Sequence, residues 1–134
     1  MKTPAEITAQ MMEKDFFSQW LGIEVVDIGK GYCKLQMQVR PEMCNGFGIT
    51  HGGISYSFAD SALAFASNSN GRHAVSIETS ISHIKPILPG DVLQAIAKQK
   101  SISNRIAIYE VSVLRNEEVV ALFKGTVFRK DAEW

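Results

Sequence analysis

The sequence predicts an α+β protein in which an antiparallel sheet wraps around one long central helix. Three observations predict this class. Residues 54–68 carry apolar side chains at helical spacing on nearly every face, strand patterns lie on both sides of that helix, and short turns join the last strands. A helix that is apolar almost all round must be covered on most sides, and curled antiparallel strands provide such a cover.

The chain has 134 residues and 46% hydrophobic content, which is enough for one core, so we expect a single domain over residues 1–134. Residues 3–20 contain helix-forming Ala, Glu, Gln and Met, with an anchoring face of Phe16, Phe17 and Trp20. This composition predicts a short N-terminal helix.

Two strands are predicted next, joined by a hairpin turn at Gly29-Lys30-Gly31. In the second strand, four apolar residues alternate with Lys34, Gln36, Gln38 and Arg40, and the apolar set is Cys33, Leu35, Met37 and Val39. This alternation is typical of a strand with one face in water. Residues 41–50 then read as a loop, because Pro41, Asn45, Gly46 and Gly48 interrupt any regular pattern.

The central helix is predicted to begin at Gly52 or Gly53, to continue to about Ser69, and to stop at Asn70-Gly71. Four further strands follow, at residues 74–84, 91–99, 105–115 and 118–129. Turns at 101–104 and at Asn116-Glu117 make these strands antiparallel neighbours. A six-stranded sheet wrapped around the helix is the hot-dog fold. The alternative, an open α+β sandwich, would leave half of the helix exposed.

Charge argues against several classes of partner. Lys plus Arg and Asp plus Glu each total 14, so no net field favours nucleic acid or an anionic membrane surface. No apolar run approaches the roughly 20 residues of a spanning helix, and the N-terminus lacks a signal peptide's apolar stretch. Two sparse cysteines, Cys33 and Cys44, fit neither a disulfide framework nor a metal site. We expect a cytoplasmic protein whose partner is a small molecule or another protein.

Asp60 is the only charged residue on the central helix, between Tyr56, Ser57, Leu63 and Ala64. A carboxylate in such surroundings is costly unless it is paired or used. It could act as a general base towards water or as a direct nucleophile. The pattern leaves both roles open.

The loop before the helix supplies other candidates. Gly52 and Gly53 could simply form a tight turn, and they could also present unpaired N–H groups to a carbonyl oxygen. His51 is expected to order the loop by a hydrogen bond, with no metal bound, and Asn45 could cap the turn. Cys44 with His51 could suggest a nucleophilic pair, but nothing in the sequence argues for a lowered thiol pKa.

The motifs Asn45-Gly46 and His51-Gly52-Gly53, with Asp60 seven residues beyond the last Gly, resemble the PaaI-like (phenylacetate-degradation type) branch of the hot-dog acyl-CoA thioesterases. The resemblance runs from about residue 21 to 129 and includes SHIKPILPGDVL and EEVVALFKGTVFR. The sister branch usually carries Glu on the helix. The family often has an aromatic or aliphatic residue before an Arg-Pro, whereas this chain reads His83-Ile84-Lys85-Pro86.

The resemblance implies hydrolysis of an acyl-CoA to CoA and a carboxylic acid, without a cofactor. The acyl group would be aromatic, of the phenylacetyl type, or of medium chain length. The N–H of Gly53 would be the donor to the thioester, and the Asn45 amide would hold the thioester or the water. Alternatives are a hydratase or dehydratase of the same fold and a non-catalytic acyl-CoA-binding module.

Further substrate-binding candidates are Thr79, on a strand that borders the pocket in such folds, and cations for the CoA phosphates. The basic residues near two predicted strand ends are Lys85, Lys98, Lys100 and Arg105. Gly53 and Asp60 lie about 10 Å apart along a helix, too far for one chain to complete the site. We therefore expect a symmetric homodimer with sites across its interface, and the resemblance implies the same, often paired into a homotetramer.

Overall fold

The computed structural model describes residues 1–134, and its elements follow the predicted order, except that the N-terminal segment forms two helices instead of one. A short 3₁₀ turn at Pro41–Met43 lies in the loop before the central helix. The helices are α1 (Pro4–Lys14), α2 (Phe16–Leu21) and α3 (Gly52–Asn68), and the strands are β1 (Glu24–Gly29), β2 (Tyr32–Gln38), β3 (Arg72–His83), β4 (Val92–Ile102), β5 (Ile106–Arg115) and β6 (Glu118–Glu133).

All six strands form one antiparallel sheet in the order β1-β2-β4-β5-β6-β3. The predicted turns at the β1–β2 and β5–β6 connections are confirmed. Asn116 and Glu117 have φ values of 49° and 67°, and two successive left-handed residues make the hairpin turn whose twist matches the flanking strands. The predicted hot-dog architecture is therefore present.

The N-terminal segment differs from the prediction of one helix over residues 3–20. Asp15 interrupts it, because its side chain accepts a hydrogen bond from the Ser18 N–H at 3.0 Å and so begins a new helix. Thr3 and Glu6 form a capping box at the start of the first helix. The composition correctly predicts helix, but it does not show where the chain changes direction.

The long helix α3 packs against strands β2 to β6 and against both N-terminal helices. Its apolar side chains Phe58, Ala62, Leu63 and Phe65 are buried. The fit is closest at Gly125 of β6, where an added Cβ would lie 2.4 Å from Leu63 Cδ2. The absence of a side chain at this position allows the helix to approach the sheet.

One stripe of α3 is not covered, contrary to the prediction that both faces are hidden. Gly53 is exposed, and Tyr56, Ser57, Asp60 and Ala64 are only half-buried. Residues three, four and seven positions apart share one helix face. The sheet and the N-terminal helices enclose the other sides, so a single chain leaves this stripe open.

Strand β3 is a long, free edge of the sheet. It pairs only with β6, and its apolar residues Val75 and Ile77 are 45% and 58% exposed. A long edge strand offers unpaired N–H and C=O groups to another strand, and exposed apolar side chains favour such pairing. This edge therefore leaves backbone groups and apolar side chains without a neighbouring strand in the chain.

Gly125→Ala should destabilise the fold by about 1–3 kcal/mol, because its methyl group overlaps the side chain of buried Leu63 and the packed core must shift to admit it. Gly29→Ala is the matched control, since a Cβ there meets nothing within 4 Å. Urea unfolding of both variants measures the difference. Equal midpoints for the two variants would show that the sheet and helix are not in the close contact described.

Candidate active site

The start of α3 is held by His51. Its ring Nδ1 accepts a hydrogen bond from the Gly53 N–H at 3.0 Å, and its carbonyl oxygen accepts one from the Ile54 N–H at 2.9 Å. His51 therefore makes a hydrogen bond that orders the loop. Because Nδ1 is the acceptor, the tautomer that fits this hydrogen bond carries its proton on Nε2.

The two glycines differ in what their N–H groups can offer. The Gly53 N–H, predicted as the donor to a substrate, is already paired with His51. The Gly52 N–H has no hydrogen-bond partner in the chain, and it lies at the positive end of a 17-residue helix. The geometry therefore moves the candidate donor from Gly53 to Gly52.

The loop before α3 also orients Asn45. Its Oδ1 accepts a hydrogen bond from the Phe47 N–H at 2.9 Å, which caps the turn, and its backbone N–H donates to the Ile49 carbonyl at 2.8 Å. The side-chain Nδ2 is then the free end of the amide. Turn cap and substrate donor are compatible roles for this residue. Cys44 makes no pair with His51, because its Sγ points to the Arg40 carbonyl at 3.9 Å.

A cavity of about 360 Å³ lies beside the helix start. Its polar lining is Asn45, Thr50, Gly52, Ser55, His83 and Lys85. One of these groups, the Gly52 N–H, has no partner in the chain. The Thr50 hydroxyl also has none, but its oxygen is buried away from the open space of the cavity. The cavity can therefore accept a polar group.

His83, at the end of β3, is a site residue that sequence analysis did not select. Its Nδ1 lies 3.3 Å from the hydroxyl of Ser55, and its Nε2 is 3.1 Å from the position that a Cβ on Gly52 would occupy. The only signal in the sequence was its place just before Ile84-Lys85-Pro86. The contact between the strand end and the helix start joins residues about thirty positions apart, which no local pattern reports.

Asp60 is half-buried in the middle of α3. Burial raises its pKa, and the charge of Asp15 raises this pKa further. Asp15 is held beside α3 by two contacts: the Ser18 hydroxyl donates to Asp15 at 2.6 Å, and the Ser18 and Ser61 hydroxyl oxygens lie 2.8 Å apart. The N-terminal helices thus bring a second carboxylate towards the first.

Asp60 is not part of the cavity lining, and it lies eight residues beyond Gly52. Eight residues rise about 12 Å along a helix, and a short carboxylate cannot span that length. The N–H of Gly52 also points away from Asp60, back from the helix start. Within one chain, the free donor and the carboxylate are separate.

Two of the other predicted binding residues, Thr79 and Lys85, lie near α3. Thr79 lies on β3 and its hydroxyl hydrogen-bonds to that of Tyr56, on the uncovered stripe of α3. Lys85 is at the cavity and its Nζ contacts Glu118 Oε2 at 2.8 Å. Thr79 and Lys85 are thus both near α3.

Arg105 is not near that cavity. Its guanidinium pairs with Asp131 at 2.9 Å, at the start of β5, whereas Lys85 lies beside Glu118, at the opposite end of β5. Ten strand residues span about 33 Å, so these two cations do not gather in one chain. The predicted group of basic residues is divided, because successive turns of an antiparallel sheet lie at opposite ends of the strands.

No helix of the structure is both long enough and apolar enough to cross a membrane. No group of three or more His, Cys, Asp or Glu side chains converges in a way that could hold a metal ion.

Comparison with known proteins gives matches along most of the chain. The family model described as the thioesterase superfamily matches residues 47–122. The acyl-coenzyme A thioesterase PaaI of Escherichia coli is 33% identical over 120 residues, which cover 89% of this chain and 86% of that protein.

Solved structures of proteins with similar sequences superpose on most of this chain. The structure of the E. coli PaaI protein from the phenylacetic acid degradation operon superposes with a TM-score of 0.94 at 30% identity, covering 97% of this chain and 95% of that one. A mutant structure of the phenylacetic acid degradation protein PaaI from Thermus thermophilus gives a TM-score of 0.84 at 37% identity, covering 87% of this chain and 100% of that one. The chain therefore belongs to the thioesterase superfamily.

Proposed function

We propose that the protein is an acyl-CoA thioesterase that hydrolyses a thioester to CoA and a carboxylic acid. The observation that carries the proposal is the arrangement of α3, which offers an unpaired N–H at its start and a half-buried carboxylate, Asp60, on its open stripe. The similarity to the E. coli acyl-coenzyme A thioesterase supports the same activity.

The reaction follows from these groups. The thioester carbonyl oxygen accepts a hydrogen bond from the Gly52 N–H, where the helix dipole stabilises the negative charge that develops. The free Nδ2 of Asn45 donates to the thioester or to the attacking water. As a general base, Asp60 takes the proton of a water whose oxygen attacks the carbonyl carbon. The C–S bond then breaks, and the CoA thiolate leaves and takes up a proton.

Asp60 could instead attack the carbonyl carbon itself, which expels CoA and forms a mixed anhydride that water then hydrolyses. Both routes need the ionised carboxylate and use the same donors. In each route His51 keeps its place as the cap of the helix and does not exchange a proton.

We propose that two chains share each site. The separation of about 12 Å between Gly52 and Asp60 is bridged if two α3 helices lie side by side in opposite directions, so that each chain's Gly52 faces the partner's Asp60. The open stripe of α3 and the free edge of β3 lie next to each other through the Tyr56 and Thr79 contact, and pairing two such surfaces covers both. The assembly is a homodimer, and two dimers can combine as a homotetramer.

The same pairing reunites the basic residues. Arg72, at the start of β3, bonds to Asn104 beside Arg105. If two β3 strands pair antiparallel, the start of one lies near the end of the other, and Arg105 approaches the partner's Lys85. We propose that these cations bind the CoA phosphates. For the acyl group we propose an aromatic group of the phenylacetyl type or a medium chain, and for the compartment the cytoplasm, where free thiols such as Cys33 and Cys44 stay reduced.

Asp60→Asn should keep the fold and lower the rate of thiol release from phenylacetyl-CoA about 10²- to 10⁴-fold, because the amide neither accepts a proton nor attacks. In the wild type, activity should fall as pH drops through the Asp60 pKa, which burial sets above the ordinary carboxyl value. Removing the Asp15 charge lowers that pKa, so Asp15→Asn should move the acidic limb to lower pH. Asn still caps α2, so stability should change little.

The measurement is the rate of thiol release, followed with a thiol reagent from about pH 4 to about pH 8. A raised carboxyl pKa falls within that range. Near-wild-type turnover by Asp60→Asn, or no activity in the wild type while CoA esters bind tightly, would contradict the proposed reaction. The second result would favour a binding module.

Lys85→Ala and Arg105→Ala should each raise KM several-fold with little change in kcat, because the nucleotide end of CoA binds equally in the ground and transition states. Free CoA should compete with the substrate, and added salt should weaken its inhibition. Lys30→Ala, in the β1–β2 turn, is the matched control. If all three variants have the same KM, the cations have been assigned wrongly.

A mixed dimer tests the shared site. Asp60→Ala removes the carboxylate, and Gly52→Pro removes the free N–H at the first helical position, where the backbone tolerates proline. The exposed His83 ring, 3.1 Å from the added Cβ, must shift slightly to make room. Each parent should be inactive. If sites are shared, one site of the hybrid has both defects and the other has neither, so activity should return to about half of the wild type.

A hybrid that stays inactive would contradict this arrangement, because every site built within one chain would keep one defect. The control is a demonstration that each parent folds, by circular dichroism, and that subunits exchange, by mass spectrometry with one parent isotopically labelled.

A further inference from the structure

Two arginines of the chain have no carboxylate partner. Arg40, Arg105 and Arg115 each form an ion pair with Asp or Glu, whereas Arg72 and Arg129 form none. Both of these unpaired residues are half-buried. Burial lowers the pKa of Arg129, and the charge of Arg72 lowers this pKa further, so the two positive charges are close enough to repel each other.

The turn between β4 and β5 holds the two guanidinium groups side by side. Arg72 Nη1 donates to the side-chain oxygen of Asn104 at 3.1 Å, and its Nη2 donates to the Asn104 carbonyl oxygen. Arg129 Nη1 donates to the Ser103 carbonyl oxygen at 2.7 Å. The acceptors belong to consecutive residues, and all of them are uncharged. The turn therefore fixes both groups in place without neutralising either charge.

The two arginines also line one cavity, which has a volume of about 210 Å³ and lies where α3 ends, beside Asn70 and Gly71. Glu133 is the only acidic side chain in its lining, and it forms no ion pair with either arginine. The Nε and Nη2 of Arg129 donate to no group of the chain and remain accessible to solvent. The residue therefore has hydrogen bonds to offer to a ligand.

The chemistry of this cavity favours a phosphate group. Two positive charges held together are stabilised by a ligand with two negative charges, and such a ligand offsets their repulsion. A phosphate monoester has up to two negative charges and three terminal oxygens. The planar fork of a guanidinium group donates to pairs of these oxygens, which the single ammonium of a lysine does not do.

The proposed shared site brings this cavity near a substrate. If Gly52 of one chain faces the partner's Asp60, equal steps in opposite directions along the two helices bring Asn68 level with the partner's Cys44. Cys44 comes directly before Asn45, which lines the cavity beside the helix start. The arginine pair at the end of one α3 is then level with the cavity of the other chain.

We propose that Arg72 and Arg129 bind the 3′-phosphate of a CoA ester whose thioester lies at the partner's Gly52. This inference rests on the proposed thioesterase function and on the shared site, and it extends both by assigning the terminal phosphate of CoA to a defined pair of residues. The partner's Lys85, a single point charge at the other cavity, remains for the diphosphate.

Substrates with and without that phosphate test the assignment, because phenylacetyl-CoA and phenylacetyl-dephospho-CoA differ only at the 3′ position. Arg72→Gln and Arg129→Gln should each raise KM for phenylacetyl-CoA about tenfold, since each loses hydrogen bonds to a charged group. KM for the dephospho ester should not change, because the phosphate is already absent. The kcat for both esters should stay at the wild-type value, because the nucleotide end binds equally in the ground and transition states.

Lys130→Ala is the matched control, because it removes one exposed positive charge from the next residue of β6. It should leave both KM values at those of the wild type. Melting temperatures show that every variant folds. A KM that rises equally for the two esters in the arginine variants, or that rises for neither ester, would overturn the assignment.

Inorganic phosphate separates CoA from a free anion as the ligand. If phosphate raises the melting temperature of the wild type but not of Arg129→Gln, and KM is unchanged for both esters, the site takes free phosphate and the role in CoA binding is overturned.

A wild type that releases no thiol would contradict the proposed function, and calorimetry with free CoA and dephospho-CoA then tests the phosphate site by itself. Tighter binding of CoA than of dephospho-CoA by the wild type, with the difference lost in Arg129→Gln, would support the site. Equal affinities of the wild type for the two compounds would overturn it.

Discussion

The close packing of one helix against one sheet determines where every group of the proposed site lies. At Gly125 the sheet has no side chain to separate it from Leu63, and the helix is also held at both ends. His51 caps its start, and at its end the Asn68 amide bonds to both backbone groups of Ala74 at 3.0 and 3.1 Å. A helix fixed in this way holds its first N–H and its Asp60 at a constant separation, which would preorganise the proposed site before a substrate binds.

The same packing explains why a single chain leaves one stripe of α3 uncovered. The sheet encloses α3 on the sides that carry Phe58, Leu63 and Phe65 and leaves open the stripe with Asp60. A fully enclosed Asp60 would be hard to ionise and out of reach of a substrate. A fully exposed one would be a poor base at neutral pH. Half-burial, with Asp15 nearby, gives a carboxyl group with a raised pKa that is still accessible at the surface of the chain.

The order of the elements could be predicted from the sequence, and so could the unusual place of a charge, Asp60, on the central helix, because both depend on local patterns. Helical spacing of apolar residues identifies α3, and a charge within that pattern stands out. The break at Asp15 was missed, since helix propensity is similar on both sides of it. The contact between His83 and Gly52 could not be predicted, because it depends on how β3 returns over the helix start. The preference for Gly52 over Gly53 as the candidate donor depends on one hydrogen bond from the Gly53 N–H to His51, which residue spacing alone does not predict.

The most direct test is a crystal structure of Asp60→Asn with a CoA analogue in which a methylene group replaces the thioester sulfur, so that the carbonyl remains but cannot be hydrolysed. The quantity to measure is the set of distances from the carbonyl oxygen to the Gly52 nitrogen and from the carbonyl carbon to residue 60 of each chain. The account predicts an oxygen within hydrogen-bond distance of one chain's Gly52, with the partner's residue 60 nearest to the carbon. A carbonyl bound at Gly53, or a nearest residue 60 from the same chain, would contradict it.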